Sequence, residues 1–131
     1  MRERFYMNEN NITKAEEWFE KAKHDFESAK LILEGNGYAD TAAVLLQQAM
    51  EKYLKGFLIK NGWKLIKTHN LKVLLDEAEM RDNNFERFQD LAGKLTQYYI
   101  DEKYPTMTTD IDLEEAKTLC AQVQELLKLI K

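Results

Sequence analysis

The sequence predicts an all-α fold, an antiparallel up-and-down bundle of four long helices plus a short fifth helix. Three observations lead to this prediction. Five segments carry apolar residues at helical spacing, and the breaks between them are short. One proline and five glycines are far fewer turn residues than an all-β domain of this length needs. No stretch shows the strict alternation of a β-strand, and no internal repeat is found.

The first helix is predicted over 13–34. Thr13 and Glu16 have the spacing of a capping box, in which hydroxyl and carboxylate satisfy backbone N–H groups that have no partner within the helix. Gly35 and Gly37 are expected to end the helix, because glycine readily takes the left-handed conformation of a helix C-terminus.

The second helix, predicted over 38–61 and ended by Gly62, has apolar residues over well over half of its circumference. These residues are Leu45, Leu46, Ala49, Met50, Tyr53, Leu54, Phe57 and Leu58. We therefore expect a helix that is buried on two sides. It is either the central helix of the bundle, or it faces its own bundle and a second subunit.

Three further helices complete the prediction. A short helix is predicted over 69–79 and a longer one over 85–101, with Pro105 ending that segment because proline supplies no N–H. Asp112 and Glu115 form a second capping-box pattern, so the last helix starts there and runs to the C-terminus.

Length and composition limit the domain organisation and the location. At 131 residues the chain is expected to form one domain over 13–131, preceded by a partly ordered N-terminal extension at 1–12. The start of the chain leads into no apolar signal segment, and the longest apolar run, 42–46, is too short to cross a bilayer. We expect a cytoplasmic protein without a membrane role.

The few cysteines and histidines make some classes of site improbable. Cys120 is the single cysteine, so an internal disulfide is excluded, and its place in an apolar stripe predicts a buried, inert thiol. His24 and His69 are the two histidines, and neither belongs to a pair with metal-ligand spacing. We expect no metal and no cofactor.

Positive charge is concentrated in one part of the chain. Residues 52–75 contain six lysines and His69 but no aspartate or glutamate, although the net charge of the whole chain is -4. The lysines are Lys52, Lys55, Lys60, Lys64, Lys67 and Lys72. Positive charge without a counter-charge nearby in the sequence indicates an anion site, most often one for phosphate.

Two stretches that overlap this region have the character of a binding site, 47–56 on the second helix and 67–71 at the start of the third. The candidate phosphate ligands in them are Lys52, Lys55, Lys67, Thr68 and His69. The candidate supporting residues are Gln48 and Glu51 in the first stretch and Lys103 and Tyr104 after the fourth predicted helix. We assign no catalytic residue.

Several of these residues also have a purely structural interpretation. Glu51 and Lys55 are four residues apart, the spacing of an intrahelical ion pair, which would neutralise one lysine. Thr68 can cap the third helix, whose N-terminus attracts anions. His69 can donate to a phosphate, act as an acid or base, or simply pack in a loop.

Taken together, these residues resemble the HEPN family, named for a nucleotide-binding domain of higher eukaryotes and prokaryotes, over about 15–129. The resemblance rests on Trp18, Ala22, Asp25 and Phe26, on Gly37 and Tyr38, on Gln48, Ala49, Glu51, Lys52, Leu54 and Lys55, on Thr68, His69 and Leu71, and on Tyr104 and Pro105. It implies an up-and-down helical bundle, commonly a homodimer, that often acts beside a small nucleotidyltransferase.

The resemblance also bears on catalysis. Many HEPN proteins are ribonucleases or ribonuclease-like toxins, with an arginine followed by four to six residues and a histidine, assembled across the dimer. None of the four arginines here, Arg2, Arg4, Arg81 and Arg87, is followed by a histidine at that distance. We therefore expect a nucleotide- or nucleic-acid-associated binding module that is non-catalytic or weakly catalytic.

Two alternatives stay open: a ribonuclease toxin of a toxin–antitoxin pair with a diverged site, and a purely structural dimerisation module. RNA is the less expected ligand, since a net charge of -4 and a pI near 5.3 oppose a long polyanion.

Overall fold

The computed structural model describes residues 2–64, 67–103 and 111–130. Five α-helices and one 3₁₀ helix, but no strand, occur in these ranges. They are α1 (Arg2–Glu34), α2 (Ala39–Lys60), α3 (Leu71–Arg81), the 3₁₀ helix Asn83–Phe88, α4 (Gln89–Lys103) and α5 (Leu113–Ile130). This confirms the predicted all-α bundle, in which α3 is the short fifth helix.

The first helix begins earlier than predicted. α1 runs without a break from Arg2, so Thr13 lies inside the helix and is not its N-cap. No glycine or proline occurs between Arg2 and Thr13, so no helix-breaking residue interrupts this part of the helix. The separation of an extension at 1–12 from a domain at 13–131 stays a prediction.

The end of α1 is a Schellman turn built on asparagine. Asn36 has the left-handed backbone, with φ of 55°, and its N–H donates to the carbonyl of Leu33 at 3.3 Å. The N–H of Gly37 donates to the carbonyl of Ile32 at 2.7 Å. The prediction that glycine supplies the left-handed residue is wrong here. Gly37 serves close approach instead, since a Cβ on it would lie 2.8 Å from Cγ2 of Ile32.

The end of α2 follows the prediction. Gly62 has φ of 87°, and its N–H donates to the carbonyl of Ile59 at 3.0 Å. The N–H of Trp63 donates to the carbonyl of Leu58 at 2.9 Å, which completes a second Schellman turn. Glycine takes this backbone conformation without steric cost.

Helix α2 is the centre of the bundle. It packs against α1, α3, α4 and α5, so its wide apolar surface is covered within one chain. Helix α1 approaches α2 closely at Gly56, where an added Cβ would lie 2.5 Å from the Phe19 ring and 3.2 Å from the Ala15 carbonyl oxygen. Because Gly56 has no side chain, α1 packs directly against the backbone of α2 at this point.

The N-termini of α3 and α5 are capped by acidic or amide side chains. Oδ1 of Asn70 accepts from the N–H groups of Lys72 at 3.0 Å and Val73 at 3.3 Å. Asn70 is therefore the N-cap of α3, and the prediction that Thr68 caps it is wrong. At α5, Oδ1 of Asp112 accepts from the N–H of Glu115 at 2.7 Å, as the capping pattern predicts.

Candidate functional site

A buried ion pair on α2 lies at the centre of the candidate site. Nζ of Lys55 is 3.0 Å from Oε2 of Glu51, and their side chains are only 6% and 9% exposed. One turn of helix separates them, so this is the intrahelical pair that their spacing of four residues allows. The buried lysine is neutralised by its own helix and is not a free cation.

The carboxylate of Glu51 also holds the loop that precedes α3. Nδ1 of His69 lies 3.0 Å from Oε2 of Glu51, and the imidazole is 78% exposed. Because a carboxylate only accepts hydrogen bonds, Nδ1 must be the donor. Glu51 thus sets the orientation of the ring and leaves the Nε2 edge toward solvent.

Two further side chains complete the Glu51 cluster, which we define as Gln47, Glu51, Lys55, His69 and Trp18. Nε2 of Gln47 donates to Oε1 of Glu51 at 3.3 Å, while its Oε1 is buried without a hydrogen bond within the described residues. Nζ of Lys55 lies 5.2 Å from the centroid of the Trp18 ring, within range of a cation–π contact. Both contacts hold the charged groups in place.

Lys52 is paired across two helices. Its Nζ lies 2.6 Å from Oδ2 of Asp25 on α1, and both side chains are mostly buried, at 27% and 18% exposed. Lys72 pairs with Asp76 at 3.7 Å on the surface of α3. The prediction of lysines without counter-charges is therefore wrong for Lys52, Lys55 and Lys72, because the folded chain brings acidic groups to each of them.

The remaining lysines of the basic stretch are exposed. Lys60, Lys64 and Lys67 form no ion pair with another residue in the described ranges, and Lys67 lies two positions before His69. Within the basic stretch, the lysines without a partner among the described residues therefore lie at the end of α2 and in the loop that leads to His69.

The N-terminus of α3 is less available to an anion than predicted. Asn70 already accepts from two of the N–H groups of the first turn. Thr68 accepts from the N–H of Asn70 at 3.2 Å, which shapes the loop before the helix. Both side chains satisfy backbone donors that an anion would otherwise contact.

The candidate supporting residues divide into two groups. Glu51 lies at the centre of the cluster, whereas Gln48 is half-buried on α2 and forms no side-chain hydrogen bond with another described residue. Lys103 is the last residue of α4, and Tyr104 lies outside the described residues.

Several side-chain contacts in this site are only weakly indicated by the sequence. Asp25 and Lys52 are 27 positions apart, so no local spacing predicts their ion pair. Trp18 has the position of an ordinary core residue in the apolar stripe of the first helix, yet its ring contacts a charged group. Gln47 precedes Glu51 by four residues, and that helical spacing is the one local signal for its hydrogen bond.

The chemical capacity of the cluster is limited and specific. A carboxylate that orients an exposed histidine through Nδ1 is an arrangement suited to binding an anion or moving a proton at Nε2. Within the described ranges no three histidine, cysteine or acidic side chains group as they would around a metal ion. None of the helices described combines the length and apolar character needed to cross a bilayer.

Comparisons with known proteins identify the family. A search of curated proteins found no match. The family model of the HEPN domain matches residues 15–131, which is nearly the whole chain and includes every family-like stretch from Trp18 to Pro105. At the level of the family this supports a nucleotide- or nucleic-acid-associated module. With its helical bundle and this match, the chain belongs to the HEPN domain family.

Proposed function

We propose that the protein is a nucleotide- or nucleic-acid-associated HEPN module that binds a phosphate group at His69 and Lys67. The observation that carries the proposal is the 3.0 Å contact between Glu51 and Nδ1 of His69, which leaves a highly exposed imidazole in a defined orientation. Glu51 and Lys55 cancel each other in charge, so a protonated His69 gives the cluster a net charge of +1.

The neighbouring charges favour the same ligand. Nε2 of an imidazolium donates to a phosphate oxygen, and the exposed ammonium of Lys67 adds a second donor in the same loop. Lys52 and Lys55 are not direct ligands in this proposal, because their ammonium groups are paired with Asp25 and Glu51. Thr68 is close in sequence, and its hydroxyl accepts from the Asn70 N–H.

Binding of nucleoside di- and triphosphates, measured by calorimetry, tests the proposal. We expect binding by the wild type and at least about a tenfold loss in a Lys67→Ala, His69→Gln double variant, because two charge-assisted hydrogen bonds are removed. The affinity should also fall with added salt. Lys30→Ala is the matched control, since this exposed lysine lies twelve residues, about 18 Å of helix, beyond Trp18 on α1. Equal binding by the double variant would overturn the proposal.

A homodimer that acts beside a small nucleotidyltransferase is part of the same proposal, supported by membership of the family. Light scattering at micromolar concentration tests the dimer, and a monomer there would contradict it. A purely structural dimerisation module is the alternative. It predicts a dimer that binds no nucleotide and is indifferent to the Lys67→Ala, His69→Gln double substitution.

One observation favours a second function, a ribonuclease with a diverged site. An imidazole oriented by a carboxylate is the arrangement of a general base, which here could take the proton of a ribose 2′-hydroxyl at Nε2. The test is cleavage of RNA by purified protein in a metal chelator. Activity must disappear in His69→Gln and persist in His24→Gln, which changes the other histidine, an exposed residue paired with Glu20 on α1.

A further inference from the structure

A second surface, separate from the Glu51 cluster, is an open groove of about 710 Å³ between α1 and α5. Its floor is apolar and aromatic, formed by Phe19, Phe26, Tyr53 and Leu127. Phe19 and Tyr53 have ring centroids 6.3 Å apart, so the floor is a continuous aromatic surface. We call it the α1–α5 groove.

The groove lies on another side of α2 from the proposed phosphate site. Tyr53 and Lys55 are two residues apart on this helix, which places them about 160° apart around its axis. A ligand in the groove therefore lies on a different side of α2 from His69 and Lys67.

The rim of the groove is acidic. Glu16, Glu20 and Glu27 line it from α1. Two lysines also lie at the rim, and exposed ion pairs join Lys23 to Glu27 at 3.8 Å, Lys128 to Glu125 at 3.0 Å and His24 to Glu20 at 3.2 Å. Burial, with Glu27 and Glu20 adding to it, raises the pKa of Tyr53 to about 12. The three glutamates of the lining outnumber its two lysines, so the rim keeps a small net negative charge.

Tyr53 also brings a hydroxyl group to the groove. Tyr53 lines the groove, and only 7% of the residue is exposed. Its hydroxyl forms no hydrogen bond with another described residue. A hydroxyl without a partner among the described residues can form a hydrogen bond with a molecule that occupies the groove.

The shape of the groove favours a helix as the occupant. The α1 residues that line it span 16–27, which is about 16 Å, or about three helical turns. Two neighbouring helices with apolar side chains between them form the kind of groove into which the apolar face of a third helix packs. The acidic rim matches lysine or arginine residues that flank such a face.

We propose that the α1–α5 groove binds an amphipathic helix of a partner protein, with an apolar face that covers Phe19, Phe26 and Leu127 and with basic residues that meet Glu16, Glu20 and Glu27. A second copy of this chain fits less well in the same groove, because a symmetric contact there sets acidic rims against each other.

The test uses ¹⁵N-labelled full chain and a synthetic amphipathic peptide of about 16 residues, with leucines at i, i+3, i+7 and i+10 and lysines beside them. We expect amide shifts confined to residues around the groove in α1 and α5. A peptide of the same pattern with glutamates in place of the lysines should bind at least about tenfold more weakly. Shifts that map elsewhere, or equal binding of the two peptides, would overturn the proposal.

Variants make the test specific to the acidic rim. A Glu20→Lys, Glu27→Lys double variant changes exposed side chains only and should weaken binding of the lysine peptide at least about tenfold. Glu17→Lys is the matched control, since Glu17 is exposed on the same helix and does not line the groove. Unchanged binding in the double variant would contradict the charge assignment.

Two other occupants are distinguished by parallel measurements. If the double variant changes the sedimentation of the protein alone, a second copy occupies the groove and the proposal is wrong. If the polyamine spermidine produces the groove shifts and the peptide does not, the occupant is a small organic cation and the proposal is equally wrong. Tyr53→Phe should weaken peptide binding without altering the fold, since only an unpartnered hydroxyl is removed.

Discussion

Nδ1 of His69 and Oε2 of Glu51 meet at 3.0 Å, although the two residues are 18 positions apart in the chain. The contact ties the loop before α3 to the centre of α2. It also leaves the buried carboxylate with three hydrogen-bonding partners, Gln47, Lys55 and His69. Stability and the proposed phosphate site therefore depend on the same side chain.

Glu51→Gln should lower the free energy of unfolding by about 3 kcal/mol, because it leaves the ammonium of Lys55 buried without its counter-ion. Urea denaturation at pH 7 measures the change. A Glu51→Gln, Lys55→Met double variant should recover part of the loss, since the uncompensated charge is then removed. Glu114→Gln is the control, because it breaks an exposed pair with Lys117 and should cost less than about 0.5 kcal/mol.

Gly56→Ala should destabilise the protein by about 1–2 kcal/mol, since the new Cβ would lie 2.5 Å from the Phe19 ring and 3.2 Å from a backbone oxygen of α1. This cost exceeds the gain of up to about 1 kcal/mol from the higher helix propensity of alanine. Gly93→Ala in α4 is the matched control. A Cβ there meets nothing within 4 Å, so thermal or urea unfolding should show equal or higher stability.

Ionisation of the Tyr53 phenol should lower the stability of the protein in alkali. Its pKa is raised to about 12 in the folded protein from the ordinary value of 10.0. The folded state then keeps a proton that the unfolded state loses, so this contribution to stability is fully present below pH 10 and is lost as the pH rises toward 12. Urea unfolding at several alkaline pH values should show a shallower decline for Tyr53→Phe than for the wild type. An identical decline in the two proteins would contradict the prediction.

The Cys120 thiol should react slowly in the folded protein. Burial raises its pKa, so less of the reactive thiolate is present at any given pH, and only 8% of the residue is exposed. An aromatic disulfide reagent at pH 8 should react at least about tenfold more slowly with the native chain than with the same chain in concentrated urea. Equal rates in the two conditions would show that the thiol is accessible.

The sequence alone determined the fold class and the helix ends that depend on neighbouring residues. Apolar spacing in 38–61 predicts a central helix, and Gly62 and Asp112 end or begin their helices as expected, because helical periodicity and capping are local properties. Local capping patterns predicted the wrong start for two helices. Asn70 caps α3 although Thr68 was predicted to, and α1 continues through Thr13 because no residue there interrupts it.

The tertiary structure alone decided which charges are free. Counting along 52–75 finds lysines without acids, although the spacing of four residues already indicates the pair of Glu51 with Lys55. Packing of α1 on α2 brings Asp25 to Lys52, and the loop before α3 brings His69 to Glu51. The α1–α5 groove likewise combines glutamates of α1 with Tyr53 of α2. Electrostatic interactions depend on distance in space and on burial, and neither quantity can be read from spacing along the chain.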